Sequence, residues 1–209
     1  MKKILLLVIL ACAMVSAEPY VHDGFYMSFQ YGPGGAMVQS DHFDGGQVKS
    51  DFGFSHEFLF KVGGVIEQTV ALHGTFFMTT CQSDFNYYGD AKEYQRDFEY
   101  KDGFFSIFLG PGITIYPKEQ GWMRDVFFSG SMGVASLWSY RDGYNDPGDF
   151  SAGGYGFDFA VGKEWWTGKS WTFGLSLAYT FIVADDSDFK NTISWYANSF
   201  RLRLSLTRS

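Results

Sequence analysis

Eight segments of this chain alternate large apolar residues with small or charged ones at a period of two, and no other feature restricts the fold as tightly. In 25–32 the odd positions Phe25, Met27, Phe29 and Tyr31 are apolar or aromatic, while Ser28, Gln30 and Gly32 face the other way. Next come Phe52, Phe54, Phe58, Phe60 and Val62 against Gly53, Ser55, Glu57, Lys61 and Gly63, with His56 the one break on the apolar face. The pattern recurs in 70–79, 105–115, 126–139, 155–162, 172–181 and 199–206. Pro111 lacks a ladder donor and predicts a local bulge in the fourth segment.

A soluble sandwich buries its bulky face and covers the other with Lys and Glu. Here the face opposite the bulky one is mostly Ser, Gly and Thr with a few charges, which predicts an inside-out arrangement with lipid outside and small or polar side chains within. After residue 17 there is no run of ~18 apolar residues to make a membrane-spanning helix, and a closed barrel is the other structure that satisfies every backbone group in lipid. The connections alternate too. Those at 33–51, 80–102, 141–153 and 184–194 are long, and those at 67–68, 118–124 and 167–170 are short, as extracellular loops and periplasmic turns are. Trp122, Trp165, Trp166 and Trp171 fall beside short turns and Trp138 and Trp195 beside long loops, so all six are expected at the two membrane boundaries. The expected fold is all-β: an eight-stranded antiparallel up-and-down transmembrane β-barrel after a cleaved signal peptide.

That signal peptide is read from Lys2 and Lys3, the apolar stretch 4–15 and the small residues Val15-Ser16-Ala17, which place cleavage after Ala17. Residues 1–17 are thus the export segment and 18–209 the barrel domain. A rival reading makes Ile9-Leu10-Ala11-Cys12 a lipoprotein box, which the bulky Leu10 fits poorly. Export removes Cys12 and leaves Cys81 alone, so no intramolecular disulfide is expected. It also leaves 14 basic against 23 acidic residues, which argues against a nucleic-acid partner.

The hairpin Gly162-Lys163-Glu164-Trp165-Trp166 followed by Trp171-Thr172-Phe173-Gly174-Leu175 resembles those of small outer-membrane barrels. The ending Ser199-Phe200-Arg201-Leu202-Arg203-Leu204-Ser205-Leu206 resembles the terminal strand that the barrel-assembly machinery reads. In architecture the likeness, closest to the OmpA-, OmpX- and OmpW-like class, covers nearly the whole mature chain. It implies an outer-membrane location with lipid, lipopolysaccharide and the assembly machinery as partners. Such barrels usually end in an aromatic residue, whereas this chain ends Thr207-Arg208-Ser209.

The inward parity collects Glu57, Lys61, His73, Asp158, Glu164, Arg201 and Arg203. An eight-stranded barrel is only wide enough for side chains, so these charges are expected to pair in a plugging network; a narrow gated ion path is the alternative. Catalytic patterns fail. Thr167-Gly168-Lys169-Ser170 lacks the upstream glycine of a phosphate loop, His56-Glu57 lacks the second histidine of a zinc helix, and Ser55 and His56 point to opposite faces. His73 and Thr75 share a face, but threonine is a poor nucleophile there. No cofactor or metal is expected. Clustered loop acids such as Asp41, Asp44 and Asp51, or Asp185, Asp186 and Asp188, lack the spacing of a calcium loop and read as solvated charge. In the second long loop Tyr87, Tyr88, Tyr94 and Phe98 are interleaved with polar residues and make the best candidate contact region. The leading reading is a non-enzymatic barrel with a structural or surface-binding role. A narrow pore or lateral route for small apolar molecules is the alternative, with a lipid-modifying enzyme or a soluble ligand-binding barrel behind it.

Overall fold

The computed structural model describes residues 22–41, 46–89, 102–117, 121, 123–141, 147–186 and 193–209. Among these residues ten strands form: β1 (Gly24–Ser40), β2 (Gly46–Ser50), β3 (Gly53–Ile66), β4 (Val70–Gln82), β5 (Phe85–Gly89), β6 (Asp102–Ile115), β7 (Val126–Arg141), β8 (Pro147–Trp166), β9 (Trp171–Asp186) and β10 (Ile193–Arg208). Eight of them build the wall. β1, β3, β4, β6, β7, β8, β9 and β10 pair antiparallel with their chain neighbours, and β10 returns to β1 through registers such as Phe29↔Leu206 and Gly35↔Phe200, closing the barrel. Closure leaves the wall without a free edge, which a sheet in lipid requires.

Parity decides which side chains meet which solvent. The outward row of β10 is Leu206, Leu204, Leu202 and Phe200, all exposed, while Arg201, Arg203 and Ser205 between them are buried. The same holds for Phe25 and Phe29 on β1, Phe58 on β3, Met132 and Val134 on β7 and Leu177 on β9. Exposed Phe and Leu over so wide a belt are stable against acyl chains, not against water.

Strands of 13 to 20 residues exceed the roughly 9–11 needed to cross a bilayer at a tilt. The surplus lies at the long-connection end, where the outward rows turn polar: Ser194, Tyr196 and Asn198 on β10, Ser151 and Gly153 on β8 and Asp185 on β9. Much of what the alternation left as loop is therefore wall. β1 runs on to Ser40, β8 begins at Pro147 and β10 at Ile193, because interior packing continues above the membrane belt.

The two short strands continue the β3–β4 hairpin beyond a break at 51–52 and 83–84. Asp51 N donates to Asp84 O at 2.8 Å and Ser83 Oγ to Asp51 O at 2.5 Å, so the break is stitched. β2 then pairs with β5 and touches β1 at Gln39↔Lys49, where serines replace ladder bonds: Val38 N donates to Ser50 Oγ and Val48 N to Ser40 Oγ, both at 2.9 Å.

Two sequence expectations change. Pro111 brings no bulge: β6 keeps one register along β4 and the same register with β7 on either side of it, and only the β7 pairs at 110 and 111 drop out. The irregularity lies instead on β7 against β8, between Trp138 and Tyr140. At the short turn after β3, Glu67 and Gln68 both take positive φ (50° and 62°), the geometry whose twist matches antiparallel strands in a tight hairpin.

Candidate functional site

The lumen fills in tiers, each set by which inward side chain a strand supplies. At the short-turn end His22, just before β1, stacks on Tyr116 with centroids 3.8 Å apart and tilts against Trp166 at 4.9 Å. Its Nδ1 lies 2.5 Å from Ser209 Oγ, which ties the start of the barrel to its end. His22 stands outside the wall strands, and burial lowers its pKa from 6.5 to about 4. Trp166 Nε1 donates to Asp125 Oδ1 at 3.3 Å, and Phe127 packs on Tyr116.

Above this aromatic floor Glu164 accepts from Thr172 Oγ1 at 2.6 Å and Thr207 Oγ1 at 3.1 Å; Thr207 in turn meets Ser28 Oγ at 2.8 Å. A hydroxyl relay follows. Lys61 Nζ donates to Ser129 Oγ at 2.6 Å, Thr114 Oγ1 donates to the same oxygen at 2.9 Å, and His73 Nε2 lies 2.9 Å from Thr114 Oγ1. His73 Nδ1 lies 3.0 Å from Thr75 Oγ1, which meets Ser131 Oγ at 2.9 Å. With the Thr114 proton spent on Ser129, the imidazole donates from Nε2 and accepts at Nδ1.

The middle tier is ionic. Arg203, fully buried, grips Asp158 bidentately (Nη1–Oδ2 2.9 Å, Nη2–Oδ1 2.6 Å) and donates from Nε to Glu57 Oε1 at 2.6 Å. Arg201 reaches the other oxygen of Glu57 at 3.4 Å and also bonds Thr79, Thr180 and Ser199. Thr180 Oγ1 donates to Asp158 Oδ1 at 2.8 Å. Charge-assisted forks of this kind are the strong end of the hydrogen-bond range. Gly32 makes room for the two arginine stems, since a Cβ there would stand 3.0 Å from Arg203 Cγ and 3.2 Å from Arg201 Cδ.

The structure thus brings all seven inward titratable residues of the sequence reading into the lumen, each buried; Glu57, Asp158, Arg201 and Arg203 form ion pairs, whereas Lys61, Glu164 and His73 are held by hydroxyls. The hydroxyl partners Thr79, Thr114, Ser129, Thr172, Thr180 and Thr207 were not singled out; their only sequence signal is the small polar parity they share with the charges.

Toward the long-connection end the lumen turns apolar, which the sequence reading missed. Phe77 and Phe108 stack with centroids 4.6 Å apart, and Val38, Cys81, Phe104, Leu137, Ile182 and Ile193 pack around them. Ala36, Ala135, Ala152, Ala184 and Ala197 line the wall between. The gap between this plug and Arg201 measures about 10 Å³, at the lower limit for one water molecule.

The tryptophan expectation splits. Trp138 lies outward against Phe105 with centroids 5.7 Å apart, and Trp165 and Trp171 are half-buried on the outward parity. Trp166 and Trp195 are instead buried inside, because they share parity with Glu164 and Arg201. Trp122 lies outside the described residues, as do Tyr94, Phe98 and the Tyr87 side chain; Tyr88 on β5 is exposed. Asp41, Asp51, Asp185 and Asp186 each accept a protein donor, from Tyr196, Asn86, Ser194 and the Ser151 amide in turn. Asp44 and Asp188 lie outside the described residues.

Closed wall, lipid-type belt and filled lumen define the class. The chain matches outer membrane protein OprG from Pseudomonas aeruginosa with a TM-score of 0.50 at 14% identity, over 90% of this chain and 97% of that one. Neisserial surface protein A (TM-score 0.46, 12% identity, 87% and 96% of the two chains) also matches. So does Ail, the attachment invasion locus protein of Yersinia pestis (0.45, 12%, 87% and 99%). No protein-family model and no curated protein matches. By fold the chain is a small eight-stranded outer-membrane β-barrel.

Proposed function

We propose that this chain, exported by residues 1–17 and inserted in the outer membrane by the barrel-assembly machinery, is a non-enzymatic barrel sealed to ions that acts through its protruding strand ends and loops. One observation carries the reading: aromatic floor, ion-pair tier and apolar plug occupy the lumen in series, with about 10 Å³ between the last two. Three buried carboxylates balanced by three buried cations, tied together by hydroxyls, leave no net charge among the described residues to draw a mobile ion. An enzymatic role has no support from His73, the one inward-facing wall histidine among the described residues, whose two ring nitrogens are both taken by threonine hydroxyls inside the wall. Planar-bilayer recording of the purified barrel tests the seal. Steady baseline current is expected; discrete open-channel steps that vanish on neutralising Arg201 and Arg203 would overturn it.

A second reading is favoured by the apolar outer lumen, whose alanines and Val38, Leu137 and Ile182 would accept a small apolar molecule if the Phe77–Phe108 stack gave way. Trp195 lines that plug and reports on it. Saturable change of its fluorescence with naphthalene supports this reading, and an unchanged spectrum counts against it.

A further inference from the structure

Three polar side chains meet on the outward face at the long-connection end of the belt: Tyr31 of β1, His56 of β3 and Thr80 of β4. The Tyr31 hydroxyl lies 2.5 Å from His56 Nδ1 and the two rings stack with centroids 5.9 Å apart. His56 faces Thr80 directly across the β3–β4 ladder. Phe54 and Phe58, 60% and 61% exposed, bracket the histidine, so it interrupts an apolar surface and does not lie beyond it.

Beside the three polar groups a groove of about 480 Å³ crosses the same wall. One bank is the rung Leu206–Phe29–Phe60–Phe76 and the other the rung Leu204–Tyr31–Phe58–Met78. Tyr31 belongs to both features: its ring lines the groove and its hydroxyl holds His56.

The chemistry of the combination is that of an amphiphile's binding site. An apolar groove on a lipid-facing wall takes an acyl chain. The polar end has donors to satisfy. The Tyr31 hydroxyl and His56 Nδ1 share one hydrogen bond, and neither His56 Nε2 nor the Thr80 hydroxyl has a partner among the described residues. Donors left unpaired where the strand leaves the hydrocarbon are costly, so an oxygen acceptor from the headgroup layer belongs there. His56 stands ten positions along β3 from Ile66 at the short turn, a height of ~25 Å for a tilted strand, which is the thickness of the apolar band and the level of outer-leaflet headgroups.

We propose that the groove and the Tyr31–His56–Thr80 group form one binding site for an acylated, phosphorylated glycolipid of the outer leaflet. An acyl chain lies between the two rungs, and a headgroup oxygen accepts from His56 Nε2 and Thr80 Oγ1. The site rests on the outer-membrane reading above.

The test uses the whole barrel refolded in detergent, first run on a gel with and without boiling, then examined by native mass spectrometry with lipid A or phosphatidylethanolamine as added probe. A wild-type barrel with no heat-dependent mobility contradicts the membrane reading itself, and the site falls with it. Given that shift, wild type is expected to retain one lipid A in preference to phosphatidylethanolamine. The double variant His56→Phe/Thr80→Val should lower that retention about tenfold, and Met78→Trp, which fills the groove from the bank that Tyr31 shares, should lower it independently. Equal retention of lipid A by wild type and both variants, or equal retention of the two lipids by wild type, overturns the site while leaving the barrel intact.

Discussion

Replacing Arg203 by methionine removes a cation that bridges two buried carboxylates, Glu57 and Asp158. Arg203 and Glu57 are both fully buried, as is Asp158, so no water can take over the charge. After the change Glu57 keeps the longer contact to Arg201 at 3.4 Å, and Asp158 keeps the Thr180 hydroxyl. Breaking a buried pair from one side costs about 3–5 kcal/mol because a carboxylate is left uncompensated. With two carboxylates affected, the upper half of that range is expected. Urea unfolding of the barrel in lipid vesicles, followed by tryptophan fluorescence, measures it. The second variant, Arg203→Met/Asp158→Leu, removes the stranded charge and leaves Glu57 to Arg201, so it should recover most of the loss, since apolar replacement of a whole buried pair is often neutral. A cost below about 1 kcal/mol for Arg203→Met would mean that water reaches the tier and that the lumen is not sealed.

Phe77→Ala deletes one ring of the Phe77–Phe108 stack in a fully buried position and should cost about 3–5 kcal/mol in the same unfolding assay. His22 takes up its proton near pH 4 in the folded barrel against 6.5 when unfolded, so its contribution is complete above pH 6.5 and is lost as pH falls from 6.5 toward 4. The full effect is of order 3 kcal/mol. Unfolding at pH 7.5 and 4.5 should show that His22→Phe flattens this dependence relative to wild type. In brominated-lipid vesicles Trp138→Phe should remove quenched fluorescence, whereas Trp195→Phe should not, because the Trp195 ring faces the lumen.

The wall was legible because period-two alternation is a direct record of two solvents. On β10 the outward leucines and inward arginines keep strict parity for eight residues, and the same parity placed Glu57, Asp158 and the other inward charges. The apolar plug was not legible for the converse reason. Phe76-Phe77-Met78 and Ile107-Phe108-Leu109 are apolar on both faces, so alternation disappears where lumen and lipid both accept large rings. The buried tryptophans show a different limit. Neighbouring positions such as Trp165 and Trp166 cannot both face lipid, and Trp195 shares parity with Arg201, yet a boundary rule based on position along the chain ignores parity. The β2–β5 extension carries no periodic signal at all; its hold on β1 comes from Ser40 and Ser50 hydroxyls, which read as ordinary loop residues.

A closed barrel folded in the outer membrane is tested directly by gel mobility of the protein from outer-membrane fractions, in detergent, with and without boiling. The β1–β10 closure and the buried ion pairs should keep the unboiled protein compact, so that it migrates faster than the boiled chain and is recovered in the detergent-insoluble envelope fraction. Recovery as a soluble periplasmic protein with one mobility in both conditions would mean that the exposed phenylalanine belt is not the face that meets lipid.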